Sequence, residues 1–476
     1  MRNEAAGYRN RMQIAWKNVR ANRGIRPVDF INGYRMVQPL RALNGAGPSM
    51  DMVQLIMEMF TRLEIRYLPC PVNEPVRNWS PPRSPEPTRH EPRVGLFVDA
   101  PDHLSGVCLT LNEWRDQALR NGLPLTLHAC GAGKPEPGMV FFPPMGEVKL
   151  DAYAGLTLNI PRMDEIMRYA ERPPFDVVHI STPGPMGLLG LLIARQHGLP
   201  VCGTYHTDFP RYAGALTGDP ELEEVGWRFM RWFYGQMDRV AVPTESIRRE
   251  LVEHGFDPAR LRVVGRGVRT KDFHPDFRRE TWRAGHGPKH PVKLLYVGRL
   301  SREKNLETLA QAFRRLHATR PDVCLVFVGD GPYRAELQEN VRDLPVFFTG
   351  SLSGKDLAMA YASSDLFVFP SRTDTFGRVV LEAQASGLPV VVSDEGGPKD
   401  AMVDGVTGIV IRGINGENLA AGVDALTDDP SRMAACRRQA RLHAERMTPE
   451  ASFDAFWRIH QSLESAIRSP RREVPV

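Results

Sequence analysis

Lys293-Leu294-Leu295-Tyr296-Val297 is an apolar run of strand length, and Gly298-Arg299-Leu300-Ser301-Arg302-Glu303-Lys304-Asn305 follows it directly into a helical pattern that reaches toward Leu316. A strand that passes through a short loop into a helix is half of a βαβ unit. The alternation extends in both directions. Downstream lie Val323 to Val328, Val346 to Phe348, Leu366 to Phe369, Pro389 to Val392 and Gly408 to Ile411. Upstream lie Arg93 to Val98, Pro124 to Ala129, Met139 to Phe142, Asp176 to Ile180, Pro200 to Tyr205, Arg239 to Val242 and Leu261 to Val264. A break rich in Pro, Gly, His and charge, about Asp272 to Pro291, separates seven upstream runs from six. Strands bounded by helices at this spacing form parallel sheets with both faces covered. The pattern predicts an α/β chain with two Rossmann-like domains in tandem. Such sheets bind ligands at the carboxyl ends of their strands, so the chemistry is sought in the loop after each strand.

At 42% hydrophobic and 25% charged residues the chain can bury a core and lies far from the composition of disorder. Its longest apolar stretches, Met186 to Ala194 and Leu388 to Val392, stop well short of the roughly 20 residues of a membrane span. Cys70, Cys108, Cys130, Cys202, Cys324 and Cys436 are scattered, with no CxxC pair and no Cys/His cluster at ligand spacing. A disulfide framework and a structural zinc are therefore not expected, and a reducing, cytoplasmic compartment fits best. Residues 1–92 carry a net charge of +6 and the rest of the chain −1. A nearly neutral body argues against nucleic acid as a partner.

The expected organisation is a basic extension over 1–92, closed by the proline-dense run Pro81 to Pro87. A first Rossmann-like domain follows over 93–285 and a second over 286–448. The stretch 449–468 reads as a helix, from the spacing of Phe453, Phe456, Trp457, Ile459 and Leu463, and 469–476 as a disordered tail. The extension, with helical patches at Met12, Trp16 and Val19 and over Met50 to Leu63, reads as an accessory unit or leader, with a basic arm for an anionic membrane face as the alternative.

Two constellations carry chemistry. Arg299 leaves a strand end, and Lys304 is placed in the first turn of the next helix behind Ser301 as N-cap. The helix dipole disfavours a cation there, so Lys304 needs an anion. Two cations beside a helix amino terminus suit a pyrophosphate, although solvated surface charges fit this segment alone equally well. The second runs from Phe369 to Gly387. Asp374 hangs in a loop, a helix begins at about Phe376, and Glu382 lies two turns inside it. The N–H groups of Phe376, Gly377 and Arg378 can meet an anion, while carboxylates accept from sugar hydroxyls, a combination that describes a sugar nucleotide. A capped helix with a buried ion pair is the other reading.

Phe367-Val368-Phe369-Pro370-Ser371 through Glu382-Ala383-Gln384-Ala385-Ser386-Gly387-Leu388-Pro389-Val390-Val391, with Gly298-Arg299-Leu300 and Gly329-Asp330-Gly331-Pro332, resembles the family-4 group of retaining GT-B glycosyltransferases. Thr204-Tyr205-His206-Thr207-Asp208-Phe209-Pro210-Arg211-Tyr212 and Gly265-Arg266-Gly267-Val268 resemble its α-mannosyltransferase and sulfoquinovosyltransferase branch. The resemblance implies a GT-B fold of two domains facing a cleft, with the 449–468 helix crossing back to the first domain. It implies that Arg299 and Lys304 bind the donor diphosphate, that Glu382 holds the ribose hydroxyls, and that Asp374 with the Phe376, Gly377 and Arg378 backbone holds sugar and phosphate. His206 matches the family histidine beside the anomeric centre, where a strand-end histidine taken alone is ordinarily structural. The chain departs from the family in two places: Asp374 stands where Glu is usual, and His103-Leu104-Ser105-Gly106-Val107 has one glycine, Gly106, where two usually admit the acceptor.

The implied activity is metal-independent transfer of a hexose, mannose favoured, from a nucleoside diphosphate sugar such as GDP-mannose to a hydroxyl acceptor that is a lipid, polyol or glycan. No cofactor is implied, because the chain has no Asp-x-Asp to hold a divalent ion and the two cations can stabilise the leaving diphosphate. A lipid-linked acceptor would give the extension a role in peripheral contact at the inner membrane face. A GT-B sugar-nucleotide epimerase and a non-catalytic nucleotide-sugar-binding protein are the alternatives. A dehydrogenase is weaker, since Gly329-x-Gly331 lacks the third glycine.

Overall fold

The computed structural model describes residues 66–69, 91–99, 106–131, 133, 136–149, 157–218, 220–279 and 292–468. The helical patches and proline run of the extension, the loop 100–105 and the tail 469–476 lie outside the described residues.

Two parallel sheets dominate. The first joins β2 (Val94–Phe97), β3 (Leu125–Cys130), β4 (Met139–Phe142), β7 (Val177–Ile180), β8 (Val201–Thr204), β9 (Arg239–Val242) and β10 (Leu261–Val263) in the order β10-β9-β8-β7-β2-β3-β4. The second joins β11 (Val292–Val297), β12 (Val323–Val328), β13 (Val346–Phe348), β14 (Leu366–Phe369), β15 (Val390–Ser393) and β16 (Gly408–Ile411) in the order β13-β12-β11-β14-β15-β16. Every pairing within the two sheets is parallel. Strands β7, β8, β12, β14 and β15 are buried throughout, as β-branched and aromatic runs covered on both faces must be. The second sheet reverses direction between β11 and β14, a topological switch point, and both chemical constellations leave the sheet there.

A third, antiparallel sheet was not foreseen. In it β1 (Arg66–Pro69), from within the extension, pairs with β5 (Pro144–Lys149), which pairs in turn with β6 (Thr157–Pro161). Its strands carry Pro and Gly and show no run of β-branched residues, so period and propensity alike are silent.

The helices that frame the site are α1 (Gly106–Arg120), α2 (Pro185–His197) and α3 (Phe209–Thr217) in the first domain, and α4 (Leu306–Thr319) and α5 (Arg378–Ala385) in the second. A last helix, α6 (Pro449–Arg468), returns to the first sheet. There Phe453, Phe456, Trp457, Ile459 and Leu463 join Val94, Leu111, Trp114, Leu127 and Val177 in one buried cluster, with the Trp114 and Phe456 rings stacked at 4.0 Å. Apolar burial of this kind contributes about 25 cal/mol per Å² and outweighs any single polar contact along the helix. The crossing is tight: Val268 N–H donates to Met447 at 2.8 Å, and a Cβ on Gly267 would lie 2.3 Å from Pro449 nitrogen.

The fold also gathers His179, Cys202 and His460, which sequence spacing could not bring together. His179 and His460 share a 2.9 Å hydrogen bond, His179 Nε2 meets Thr204 Oγ1 at 2.8 Å, and His460 Nδ1 meets Phe456 oxygen at 3.0 Å. Every ring nitrogen of the pair is thereby engaged, and α6 is pinned to the centre of the first sheet. Cys108, Cys130, Cys202, Cys324 and Cys436 are buried. Among the described residues no helix is long and apolar enough to cross a membrane.

Candidate active site

Lys304 stands where β11 gives way to α4, but not in the first turn of that helix. Ser301 precedes a 3-10 turn over Arg302–Lys304, and Asn305 then takes a left-handed conformation (φ 58°), so the α-helix begins only at Leu306. The helix dipole is thus not what Lys304 must offset. Its ammonium is nearly buried, with 10% of the side chain exposed, and donates to both Asp374 oxygens at 2.9 and 3.0 Å and to the Tyr212 hydroxyl at 2.9 Å. Burial alone would strip its proton, but the Asp374 carboxylate, with Tyr212 beside it, holds the pKa well above the ordinary lysine value. The site therefore keeps a fixed positive charge. Arg299 is partly buried just past the end of β11, and its carbonyl accepts from the Tyr296 hydroxyl at 3.0 Å. The Gly329-Asp330-Gly331 loop belongs to this wall, since Leu300 N–H donates to Asp330 at 3.0 Å and Tyr333 N–H to Leu300 at 2.9 Å.

The second constellation leaves β14. Asn305 Nδ2 donates to Pro370 oxygen at 3.2 Å and ties the two loops together. Helix α5 starts at Arg378, two residues later than the sequence places it, because Gly377 takes a left-handed turn (φ 76°) as its N-cap. No side chain caps this amino terminus. Glu382 lies inside α5, buried, and accepts from the Tyr361 hydroxyl at 2.9 Å through Oε2. Burial raises its pKa, while Arg378 and the Tyr361 hydrogen bond act against that rise.

The first domain closes the site from the other side. Thr375 Oγ1 donates to the His206 carbonyl at 2.5 Å, so the loop bearing Asp374 rests on the loop after β8. Arg378 was expected to serve through its backbone. Its side chain in addition crosses to α1 and pairs with both oxygens of Glu113 at 2.8 and 2.9 Å, each side chain 13% exposed. Gly106, at the start of α1, faces the same guanidinium, and a Cβ there would lie 3.6 Å from Arg378 Cδ. His206 is buried, its Nδ1 3.3 Å from Arg266 Nη2, and burial together with the Arg266 charge holds its pKa well below the ordinary histidine value. Asp208 caps α3, accepting from Arg211 N–H at 3.3 Å, and burial pushes its carboxyl up to about 7.

Lys304, Asp374, His206, Arg378 and Gly106 thus meet in one site where the two domains touch, and Glu382 lies inside α5 against Tyr361. Tyr212, Glu113, Arg266, Trp114 and Thr375 also line or brace it, and sequence reasoning gave none of them a role. Tyr212 and Arg266 stand within quoted motifs, but their partners are 92 and 60 residues away. A buried ammonium, an uncapped helix amino terminus, an adjacent carboxylate and a neutral imidazole can bind a diphosphate-linked, hydroxyl-rich ligand and stabilise charge developing on its phosphate.

A profile described as glycosyl transferases group 1 matches residues 278–443, and one described as glycosyltransferase family 4 matches 106–272. The chain is 33% identical over 300 residues to the sulfoquinovosyl transferase SQD2 of Arabidopsis thaliana, covering 62% of this chain and 58% of that protein. It is 34% identical over 279 residues to a GDP-mannose-dependent alpha-mannosyltransferase of Corynebacterium glutamicum, covering 58% and 64%. The match thus spans less than two thirds of either relative's own length. A D-inositol 3-phosphate glycosyltransferase of Pseudarthrobacter chlorophenolicus is 30% identical over 331 residues, covering 65% of this chain and 77% of that one. In fold, the chain resembles Anabaena HepE, solved in complex with UDP and glucose, with a TM-score of 0.60 at 17% identity over 80% of this chain and all of that one.

Proposed function

Because the chain belongs to the glycosyl transferases of group 1, with a GT-B fold, we propose that it moves a hexose, mannose favoured, from a nucleoside diphosphate sugar to an acceptor hydroxyl with retention and without a divalent metal. The observation that carries this reading is the buried Lys304 ammonium, held at the switch point of the second sheet by Asp374 and, across the cleft, by Tyr212. Its charge is fixed and desolvated where a leaving diphosphate would gather negative charge.

In this reading Arg299 and Lys304 hold the diphosphate, and the N–H groups of Phe376, Gly377 and Arg378 at the start of α5 meet its oxygens. Glu382 accepts from the ribose hydroxyls. Asp374 exchanges the ammonium for a hydroxyl of the sugar when donor enters. His206 lies at the anomeric carbon, and Gly106 admits the acceptor oxygen. The C–O bond to the phosphate breaks, the acceptor oxygen bonds to the same carbon, and its proton leaves with the phosphate. Preorganised donors aimed at developing charge are each worth about 10²–10³ in rate, which is why two cations and a helix terminus suffice in principle where other enzymes use a metal. The SQD2 and mannosyltransferase relatives support a hexose and the second supports a GDP-linked donor. A lipid, a polyol or a glycan each offers the required hydroxyl.

A thermal-shift series with GDP, UDP and their sugars tests the donor, since a ligand of the folded state raises its melting temperature. A response to GDP and GDP-mannose alone fits the proposal, and no response to any nucleotide refutes it. Turnover is then assayed with EDTA. Activity that vanishes and returns only with a divalent cation refutes the metal-independent step.

A further inference from the structure

Arg266 occupies a place that the reaction as proposed does not use. It is buried at 4% exposure, its Nη1 donates to the Val264 carbonyl at 2.8 Å, and its guanidinium lies 5.1 Å over the Trp114 ring. The neighbouring backbone is held by the return crossing at Val268–Met447, so this guanidinium has little freedom. Its other terminal nitrogen, Nη2, lies 3.3 Å from His206 Nδ1. A guanidinium donates hydrogen bonds and accepts none, so Nδ1 must be the accepting nitrogen of that ring. The proton of the neutral imidazole then sits on Nε2. That atom is buried and has no hydrogen-bond partner. A buried N–H without an acceptor is costly, which favours a site that ligand completes.

We infer that Arg266 is a positioning residue that locks His206 in its Nε2–H tautomer, so that the imidazole presents a single hydrogen-bond donor to an oxygen of the bound sugar or acceptor. Which nitrogen of a histidine carries the proton is set by the bond its other nitrogen makes, and here that bond comes from a group that cannot reverse its role. The groups around the ring reinforce the assignment. Both nitrogens of the nearby His179 ring are engaged by His460 and Thr204, the Trp114 ring lies beside His206 with centroids 6.1 Å apart, and the carbonyl of His206 itself is taken by Thr375. The inference rests on the proposed function only for what Nε2–H would meet; the tautomer itself is a property of the unliganded protein.

The test is an imidazole nitrogen correlation spectrum of the full chain labelled with 15N-histidine, with the His206 signals identified by their loss in His206→Gln. A pyrrole-type resonance on Nε2 and a pyridine-type resonance on Nδ1 are expected in the native protein, and a mixed or reversed pattern in Arg266→Met. In the same variant kcat should fall about 10- to 100-fold, the usual scale for losing a residue that orients a working side chain, with the donor KM changed less than about twofold. A pyrrole-type resonance on Nδ1 in the native protein overturns the inference, and so does an unchanged pattern in a folded Arg266→Met. Should that variant fail to fold, the native spectrum decides alone. A native spectrum as expected with full turnover in His206→Gln would leave the tautomer standing and remove His206 from the reaction.

Discussion

Replacing Glu382 by Gln tests the nucleotide side of the cleft with a change of one atom. Glu382 is buried, and the Tyr361 hydroxyl occupies its Oε2 at 2.9 Å, leaving Oε1 as the acceptor for a ribose hydroxyl. A glutamine keeps the bond to Tyr361 through its carbonyl and turns its NH₂ toward the ligand, so an acceptor becomes a donor at constant volume. A hydrogen bond to a charged group is worth about 1.5–3 kcal/mol, and each 1.4 kcal/mol is a factor of ten, so the dissociation constant of the nucleoside diphosphate should rise about 10- to 150-fold. The assay is calorimetric titration with whichever diphosphate raises the melting temperature, repeated with its 2′,3′-dideoxy analogue. The native protein should lose most of its preference for the ribose form when Gln replaces Glu382, while the dideoxy ligand binds both proteins nearly alike. Equal losses for ribose and dideoxy ligands would show that the carboxylate does not read the sugar, and the assignment of Glu382 would fall.

Lys304→Met removes the fixed charge and leaves Asp374 without its ammonium; kcat should fall at least about 100-fold while circular dichroism stays native, and a loss below tenfold would contradict the proposed role. Arg378→Met and Glu113→Gln should each destabilise the closed arrangement. In urea unfolding followed by tryptophan fluorescence the double variant should lose about 1–2 kcal/mol less than the sum of the two singles, because they share one buried pair. Burial raises the Asp208 carboxyl to about 7, so the folded state binds that proton more tightly than the unfolded chain. The resulting stability is complete below about pH 4 and is lost as pH rises through 7, so Asp208→Asn should show a flatter melting temperature between pH 5 and 8 than the native protein. Gly267→Ala drives a methyl into the Thr448–Pro449 backbone, 2.3 Å away, and should yield little folded protein in a solubility assay.

The two large sheets were legible because parallel strands buried on both faces must be short apolar runs, and each of their thirteen strands falls on a run read from the sequence. The antiparallel sheet was not, because Pro144-Met145-Gly146-Glu147-Val148-Lys149 has neither the run nor the alternation. Within the site, types and order of residues were readable but local geometry was not. Asn305 and Gly377 both adopt left-handed conformations, and each delays a helix start relative to its sequence signal. The acid that balances Lys304 is in view in the sequence as Asp374, yet the sequence points to a bound pyrophosphate as the anion, since nothing local says that two loops 70 residues apart touch. The contact between Glu113 and Arg378 spans 265 residues and has no local signature at all.

The 265–268 segment, between the last strand of the first sheet and the first strand of the second, runs side by side with the 447–449 segment that leads back into α6. A body attached to another through two adjacent threads has one easy axis of rotation, along the pair, and resists sliding or twisting about any other. Any opening between the two bodies is thereby channelled into a single swing about that line. Because α6 is anchored on the first sheet through Phe453, Phe456, Trp457, Ile459 and Leu463, tension applied along it must peel those side chains away before any load reaches the second sheet.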